Sequence, residues 1–228
     1  MNYQLIDYYC AGKTEKFEIN SIRTNCTHMA FDKIAIAVQE VFKELDDHIE
    51  RMTSKTGMKC LRFCSACCRK TDIEASAIEF IPLAIWLYKT GKVDEFLILL
   101  DQSDKTGFCA LFSPDAQEDG KWGCLNYEKR GLICRLFGFG YRLNREGTPE
   151  VVTCKLLKES CPDGVALARQ AGVETPDDVP LFRNYSMQLY SIDPDLARIQ
   201  LPINQAIRLA IEKLYFQYAL GMEHEEDE

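Results

Sequence analysis

A chain of 228 residues with 46% hydrophobic side chains can bury a sizeable core and needs no disulfide framework to fold. Its 27 basic and 35 acidic residues leave a formal charge of −8, which argues against nucleic acid, a partner that calls for a basic face. No basic-then-apolar leader opens the sequence and no stretch approaches the ~20 apolar residues of a membrane span, so the expectation is a cytoplasmic protein with reduced thiols and no membrane partner.

Residues 1–27 show no clear period and read as an N-terminal arm, with Cys10 and Cys26 isolated in it. Thr27 is placed to cap a helix running to about Lys55, on which Ile34, Val38, Val41, Leu45, Ile49 and Met52 form one apolar stripe. His48, set among Asp46, Asp47 and Glu50, has no second histidine or cysteine at ligand spacing and is expected on the surface. A run of thiols follows at Cys60, Cys64, Cys67 and Cys68. Directly after it, Thr71-Asp72-Ile73-Glu74 has the spacing of a capping box, so a helix is predicted from there through Phe80, with Pro82 kinking or restarting it. The positive end of that helix would lie near the thiols. A further helix covers about Val93 to Gln102.

From Gly107 the texture changes. Phe108–Phe112 and Lys121–Leu125 read as short strands joined by the turn-rich loop from Ser113 to Gly120. Tyr127–Arg130 is a helical turn. Leu132–Leu143 and Val151–Leu157 read as a second hairpin with Asn144 to Gly147 at its tip. Cys161-Pro162-Asp163-Gly164 turns into a helix over Val165–Ala171, weakly helical sequence follows over Val179–Tyr190, and a last amphipathic helix starts at Pro202 and closes at Gly221. The fold class expected is α+β, mainly α: helices flanking a small cysteine-rich centre with two short β-hairpins. The organisation expected is an arm (1–27), one cysteine-cluster metal-binding domain (28–221) and an acidic tail (222–228).

The chain has eleven cysteines, and an odd number cannot be fully paired. Nine lie between positions 60 and 161: Cys60, Cys64, Cys67, Cys68, Cys109, Cys124, Cys134, Cys154 and Cys161. Thiolates are soft ligands suited to zinc or to iron–sulfur clusters, and with only three histidines, none near the thiols, the site is expected to be all-sulfur. Adjacent side chains point apart in extended backbone, so Cys67 and Cys68 either serve two neighbouring sites or divide into one ligand and one packing residue. Eight thiols would fill two four-sulfur sites. Lys59, Arg62, Arg69, Lys70, Arg130, Arg135 and Lys155 lie close to the thiols in sequence. Lys59 and Lys70 read as surface groups. Arg135, next to Cys134 in an apolar segment read as a strand, is expected to face the cluster.

Set out in this order, the chain resembles the YkgJ-like cysteine-cluster family, a zinc- or iron-chelating group named for its CxxCxxCC signature. The blocks are Cys60-x3-Cys64-x2-Cys67-Cys68, with a first gap one residue longer; Cys109-Ala110-Leu111-Phe112; Cys124-Leu125-Asn126-Tyr127-Glu128-Lys129-Arg130; and Cys134-Arg135-Leu136-Phe137. Gly131 stands where that family has proline. The resemblance spans roughly residues 60–161 and leaves the flanking helices outside. It implies metal ligation by Cys64, Cys67, Cys68, Cys109, Cys124 and Cys134, with Cys60 and Cys154 next and Cys161 as a late addition. The cysteine core is also similar to that of the flagellin lysine-N-methylases.

Three functions are compatible with this reading. The first is a metal-binding cysteine-cluster protein, non-catalytic or redox-active. The second is an iron–sulfur, S-adenosylmethionine-linked protein methyltransferase-like enzyme. The third is a zinc-scaffolded domain that binds another protein. Cys60-x3-Cys64-x2-Cys67 has the radical S-adenosylmethionine spacing, but Ser65 replaces the usual aromatic neighbour and no βα repeat follows. Gly138-Phe139-Gly140 lacks the third glycine of a nucleotide loop and is assigned to backbone packing.

Overall fold

The computed structural model describes residues 19–60, 64–113 and 123–222, with backbone alone for 19–30 and 219–222. Cys10, the Cys26 side chain, most of the loop after Ser113, Lys121, Trp122 and the acidic run from 223 lie outside the described residues. Helix α1 (Ile19–Thr56) begins earlier than its apolar stripe. Ala35, Val38, Phe42, Leu45 and Met52 are buried along it, and the helix also takes in residues 19–27, expected to belong to the arm. Adding a residue to an existing helix costs far less than nucleating one, so the turns before the stripe need no amphipathic pattern of their own.

The predicted capping box at Thr71 is displaced. Glu74–Ala75 form β1, which pairs antiparallel with β4 (Leu201–Pro202), Glu74 opposite Pro202 and Ala75 opposite Leu201. The working box is Ser76-Ala77-Ile78-Glu79: the Ser76 amide donates to Glu79 Oε1 at 2.8 Å and the Ser76 hydroxyl at 3.0 Å. Glu79 Oε2 also accepts the Ile133 amide at 3.2 Å. Glu74 is exposed whereas Glu79 is enclosed, so only Glu79 works in a setting where hydrogen bonds to a carboxylate count. A 3-10 turn (Ala77–Phe80) leads into α2 (Ile81–Lys89), with Pro82 in the first turn, where its missing amide costs nothing. Helix α3 covers Val93–Thr106.

Among the described residues the first predicted hairpin is one antiparallel bridge, Phe112 opposite Cys124, flanked by Ser113 N–H to Gly123 O (3.1 Å) and Leu125 N–H to Leu111 O (2.7 Å). The second keeps its centre, β2 (Tyr141–Leu143) against β3 (Pro149–Val151), with Arg142 opposite Glu150. Its outer ends are helical instead: α4 (Leu132–Leu136) and α5 (Lys155–Ser160). Leu132, Arg135 and Leu136 are the buried residues of α4, a three-and-four spacing that belongs to a helix. Helices α6 (Pro162–Glu174), α7 (Phe182–Ile192), α8 (Pro194–Ala197) and α9 (Ile203–Met222) complete the chain. The architecture is α+β and mainly α, with two two-stranded antiparallel sheets; one joins distant segments and is not a hairpin.

The main core packs the α1 stripe against α2 and against Ile207, Ala210, Ile211 and Leu214 of α9. A second core gathers Met52, Met58, Tyr141, Leu157, Val165, Ala168 and Val179. His48 is not a plain surface group. It is half-buried, with Nδ1 2.9 Å from the Tyr185 hydroxyl, because α7 packs across that turn of α1. No helix among the described residues is long and apolar enough to cross a membrane.

Burial pushes the Glu79 carboxyl above its ordinary value, against the Ser76, Ile133 and Leu132 amides that favour the charged form. Glu79→Ala strands the buried Ser76 amide and the half-buried Ile133 amide, and since each lost partner costs roughly 1–3 kcal/mol, denaturant unfolding is expected to show a loss of about 3 kcal/mol.

Candidate metal centre

Loops carry most of the thiols. The turn over residues 66–69 is closed by Arg69 N–H to Ser65 O (3.3 Å) and Lys70 N–H to Cys67 O (3.1 Å). The Cys109 amide donates to the Cys68 carbonyl at 2.9 Å, which ties that turn to the segment after α3. Cys109 is clamped from α9. The buried Asn204 accepts the Ala110 amide at 2.9 Å and donates to the Phe108 carbonyl at 2.8 Å. The Phe112–Cys124 bridge then brings Cys124 alongside. Gly123 has φ +69°, and a Cβ there would sit 2.8 Å from Ser65 Cβ, so the close approach of the two loops needs glycine. Helix α4 supplies Cys134.

As a result Cys60, Cys64, Cys67, Cys68, Cys109, Cys124 and Cys134 line one cavity of about 110 Å³. Cys154, the eighth candidate, is the N-cap of α5, its sulfur accepting the Leu157 amide at 3.3 Å, and it acts electrostatically on Cys67. Cys161 stands apart, its thiol donating to the Gly57 carbonyl at 3.6 Å. No disulfide joins any of the nine described cysteines.

Burial dominates the electrostatics. It pushes the Cys67 thiol up to about 12, with the neighbouring Cys68, Cys154, Cys60 and Cys64 adding to the rise. Cys68 is raised to about 11 by burial, then by Cys124 and Cys64, and Cys109 to about 12 by burial, opposed by the Leu111 and Phe112 amides. Cys134 is raised well above the ordinary thiol, by burial first and then by Cys109, Cys68, Glu79 and Cys124. Cys124 is raised by burial, offset in part by the Asn126 amide and the Arg130 guanidinium. A thiol in such surroundings stays protonated and is a poor nucleophile. A soft cation reverses that, because it supplies the missing positive charge and takes the thiolate as ligand.

Arg135 does not face these thiols. It lies on a helix, and it is not among the residues that line their cavity. Its guanidinium pairs with Asp46 of α1, donates to the Arg130 and Glu128 carbonyls and stacks over Phe42 at 4.6 Å. The cation on the cavity wall is Arg130. It lies over the Tyr127 ring at 3.8 Å, 3.8 Å from Asp46, and its buried Nε–H has no hydrogen-bond partner. An orphaned donor on a wall shared with the sulfurs suits an anionic thiolate site, and Lys70 on the same wall adds a second positive charge. Among the described residues no group of three or more His, Cys, Asp or Glu side chains stands ready-made as a coordination set. The sulfurs share a cavity without converging on one point, so loading a metal there requires the loops to tighten.

The chain matches no family model, no curated protein and no solved structure.

A much larger open cleft, about 810 Å³, adjoins the thiol cavity and shares Lys70, Ile73, Ile133 and Phe137 with it. Arg142, stacked over Phe182 at 4.8 Å, and Arg183 also line it, as does Glu79. Asn204 and Glu79 carry no motif in the sequence; a polar residue inside an apolar helical stripe was the only available signal for the first. Asn204→Ala removes both bonds that hold the Cys109 segment. Unfolding is expected to show a loss of about 2 kcal/mol, and mass spectrometry after brief alkylation of reduced protein should show Cys109 labelled faster.

Proposed function

We propose that the protein is a thiolate metal centre, holding zinc or an iron–sulfur cluster through its cysteines in a non-catalytic or redox role. The observation that carries this reading is the shared cavity of Cys60, Cys64, Cys67, Cys68, Cys109, Cys124 and Cys134, drawn from segments far apart in sequence. Seven thiols on one cavity, with no disulfide among them and with Arg130 and Lys70 on the same wall, are poorly accounted for as packing alone, since apolar residues would fill the buried part of that space more favourably. The order of the cysteine blocks, similar to that of the YkgJ-like family, points the same way. Cys154 joins the set as the neighbour of Cys67. When bound, the metal supplies a positive focus for the sulfurs, and ligation contributes on the order of 10 kcal/mol to folding.

Purification under anaerobic, reducing conditions followed by elemental analysis and a visible spectrum tests this. Stoichiometric zinc without colour, or iron with acid-labile sulfide and visible absorption, is the expected result; protein with no bound transition metal overturns the proposal. Arg130→Met is expected to weaken metal retention against a competing chelator about tenfold, as loss of a group supporting the ligands does elsewhere, while Arg135→Met leaves retention unchanged.

The cleft beside the thiols favours a second reading, an S-adenosylmethionine-linked methyltransferase-like enzyme. Titration calorimetry of loaded protein with S-adenosylmethionine separates the two: saturable binding selects the enzyme, and none retains the first reading.

A further inference from the structure

The cysteines that line the thiol cavity differ in their surroundings. Cys109 and Cys124 are buried in the main hydrophobic core, and Cys68 and Cys134 pack against it. Cys60 is exposed and, like Cys64 and Cys67, is not part of that core. Cys154 packs against the second core instead. The electrostatic neighbours divide along the same line. Cys68, Cys109, Cys124 and Cys134 act on one another in every pairing. Cys67 is acted on first by Cys68, next to it in the chain, and then by Cys154, Cys60 and Cys64, while Cys64 also reaches Cys68, so the two groups touch at the Cys67–Cys68 peptide.

Building on the thiolate-metal reading, we infer that the centre is two four-sulfur sites meeting at the Cys67–Cys68 peptide: an enclosed site of Cys68, Cys109, Cys124 and Cys134, and an open site of Cys60, Cys64, Cys67 and Cys154 that exchanges its metal with solvent. The backbone accounts for the division. The Cys109 amide holds the Cys68 carbonyl, so Cys68 belongs to the inner layer formed with the Phe112–Cys124 bridge. Cys67 precedes it in the turn over residues 66–69 and lies within electrostatic reach of Cys154 at the start of α5. The enclosed site is held by α4, by the bridge and by the Asn204 clamp from α9. The open site is held by two loop segments, the residues after α1 and the N-cap of α5. A site walled by hydrophobic core releases its ion slowly, whereas one with an exposed ligand gives competing ligands direct access. The inner site therefore reads as the structural one, and the outer site as the place where metal is taken up or handed to another thiol ligand.

The test uses full-length reduced protein loaded with zinc, in wild type and in Cys154→Ser, Cys60→Ser and Cys124→Ser. Zinc per chain is counted by elemental analysis, and release to excess pyridylazoresorcinol is followed by absorbance. Wild type is expected to hold two zinc ions and release one about tenfold or more faster than the other, as restricted solvent access implies. Cys154→Ser and Cys60→Ser should lose the fast ion alone and keep the slow one. Because Cys124 is also a core residue and its loss weakens the fold along with the site, the two open-site variants decide the matter. A single ion or cluster per chain that Cys154→Ser also abolishes, or two ions leaving at one common rate, overturns the two-site division while leaving thiolate metal binding in place. No zinc bound by any form overturns both.

Discussion

The hydrogen bond from the Cys109 amide to the Cys68 carbonyl, 2.9 Å long, joins the two segments on which the thiol cavity depends. One comes out of the turn after Cys64, the other out of the end of α3. Neither is regular secondary structure, so each needs support from outside itself. Asn204 provides it on one side, using both ends of its amide to hold the peptides around Cys109. Gly123 provides it on the other, since only a residue without a side chain lets the Cys124 loop settle on Ser65. The helices hold these loops in place: α9 carries Asn204 in its first turn and buries its apolar stripe against α1 and α2.

Bringing the sulfurs together costs free energy unless something compensates. Each buried thiol is pushed toward its neutral form chiefly by desolvation, and the thiols oppose one another's ionisation. The protein offers only partial relief. The Leu111, Phe112 and Asn126 amides reach Cys109 and Cys124, and Arg130 lies near Cys124 with an unused donor. These are the supports expected of an anionic sulfur site and are of little use to neutral thiols. Arg130 is held by Tyr127 and Asp46, so its position costs little flexibility when charge develops beside it.

Much of the architecture was legible from apolar spacing. The α1 stripe, α3 and α9 follow from three-and-four periodicity, and the mainly helical class follows from them. The cysteine blocks were legible because thiols at short spacing have few physical uses in a reduced protein. The parts that were not legible depend on contacts between distant residues. Two capping boxes compete within nine residues, and Ser76–Glu79 prevails because Ile133, far along the chain, donates to the same carboxylate. The β1–β4 pairing joins Glu74 to Pro202, and no local pattern announces it. The N-terminal extension of α1 is helical by propagation, where the lack of an apolar period suggested an arm. Gly131 is explained only in three dimensions: a Cβ there would stand 2.9 Å from Glu79 Oε2 and 2.8 Å from the Phe80 ring, so the chain requires glycine at that point.

Helix α4 shows why the local period decides the chemistry. Read as a strand, Leu132 to Leu136 would send Cys134 to one face and Ile133 and Arg135 together to the other, with Arg135 free to bend toward the cluster. As a helix, the same five residues take separate assignments. Leu132 and Leu136 enter the main core, and Arg135, beside them, crosses to Asp46 on α1. Cys134 turns into the thiol cavity, and Ile133 forms part of the wall between that cavity and the large cleft. The Ile133 amide is held by Glu79, which lines the cleft, while the adjacent Cys134 sulfur senses the Glu79 charge. One short element thus fixes a thiol, separates two cavities and ties both to α1. A strand cannot do this, because two faces do not suffice for four directions.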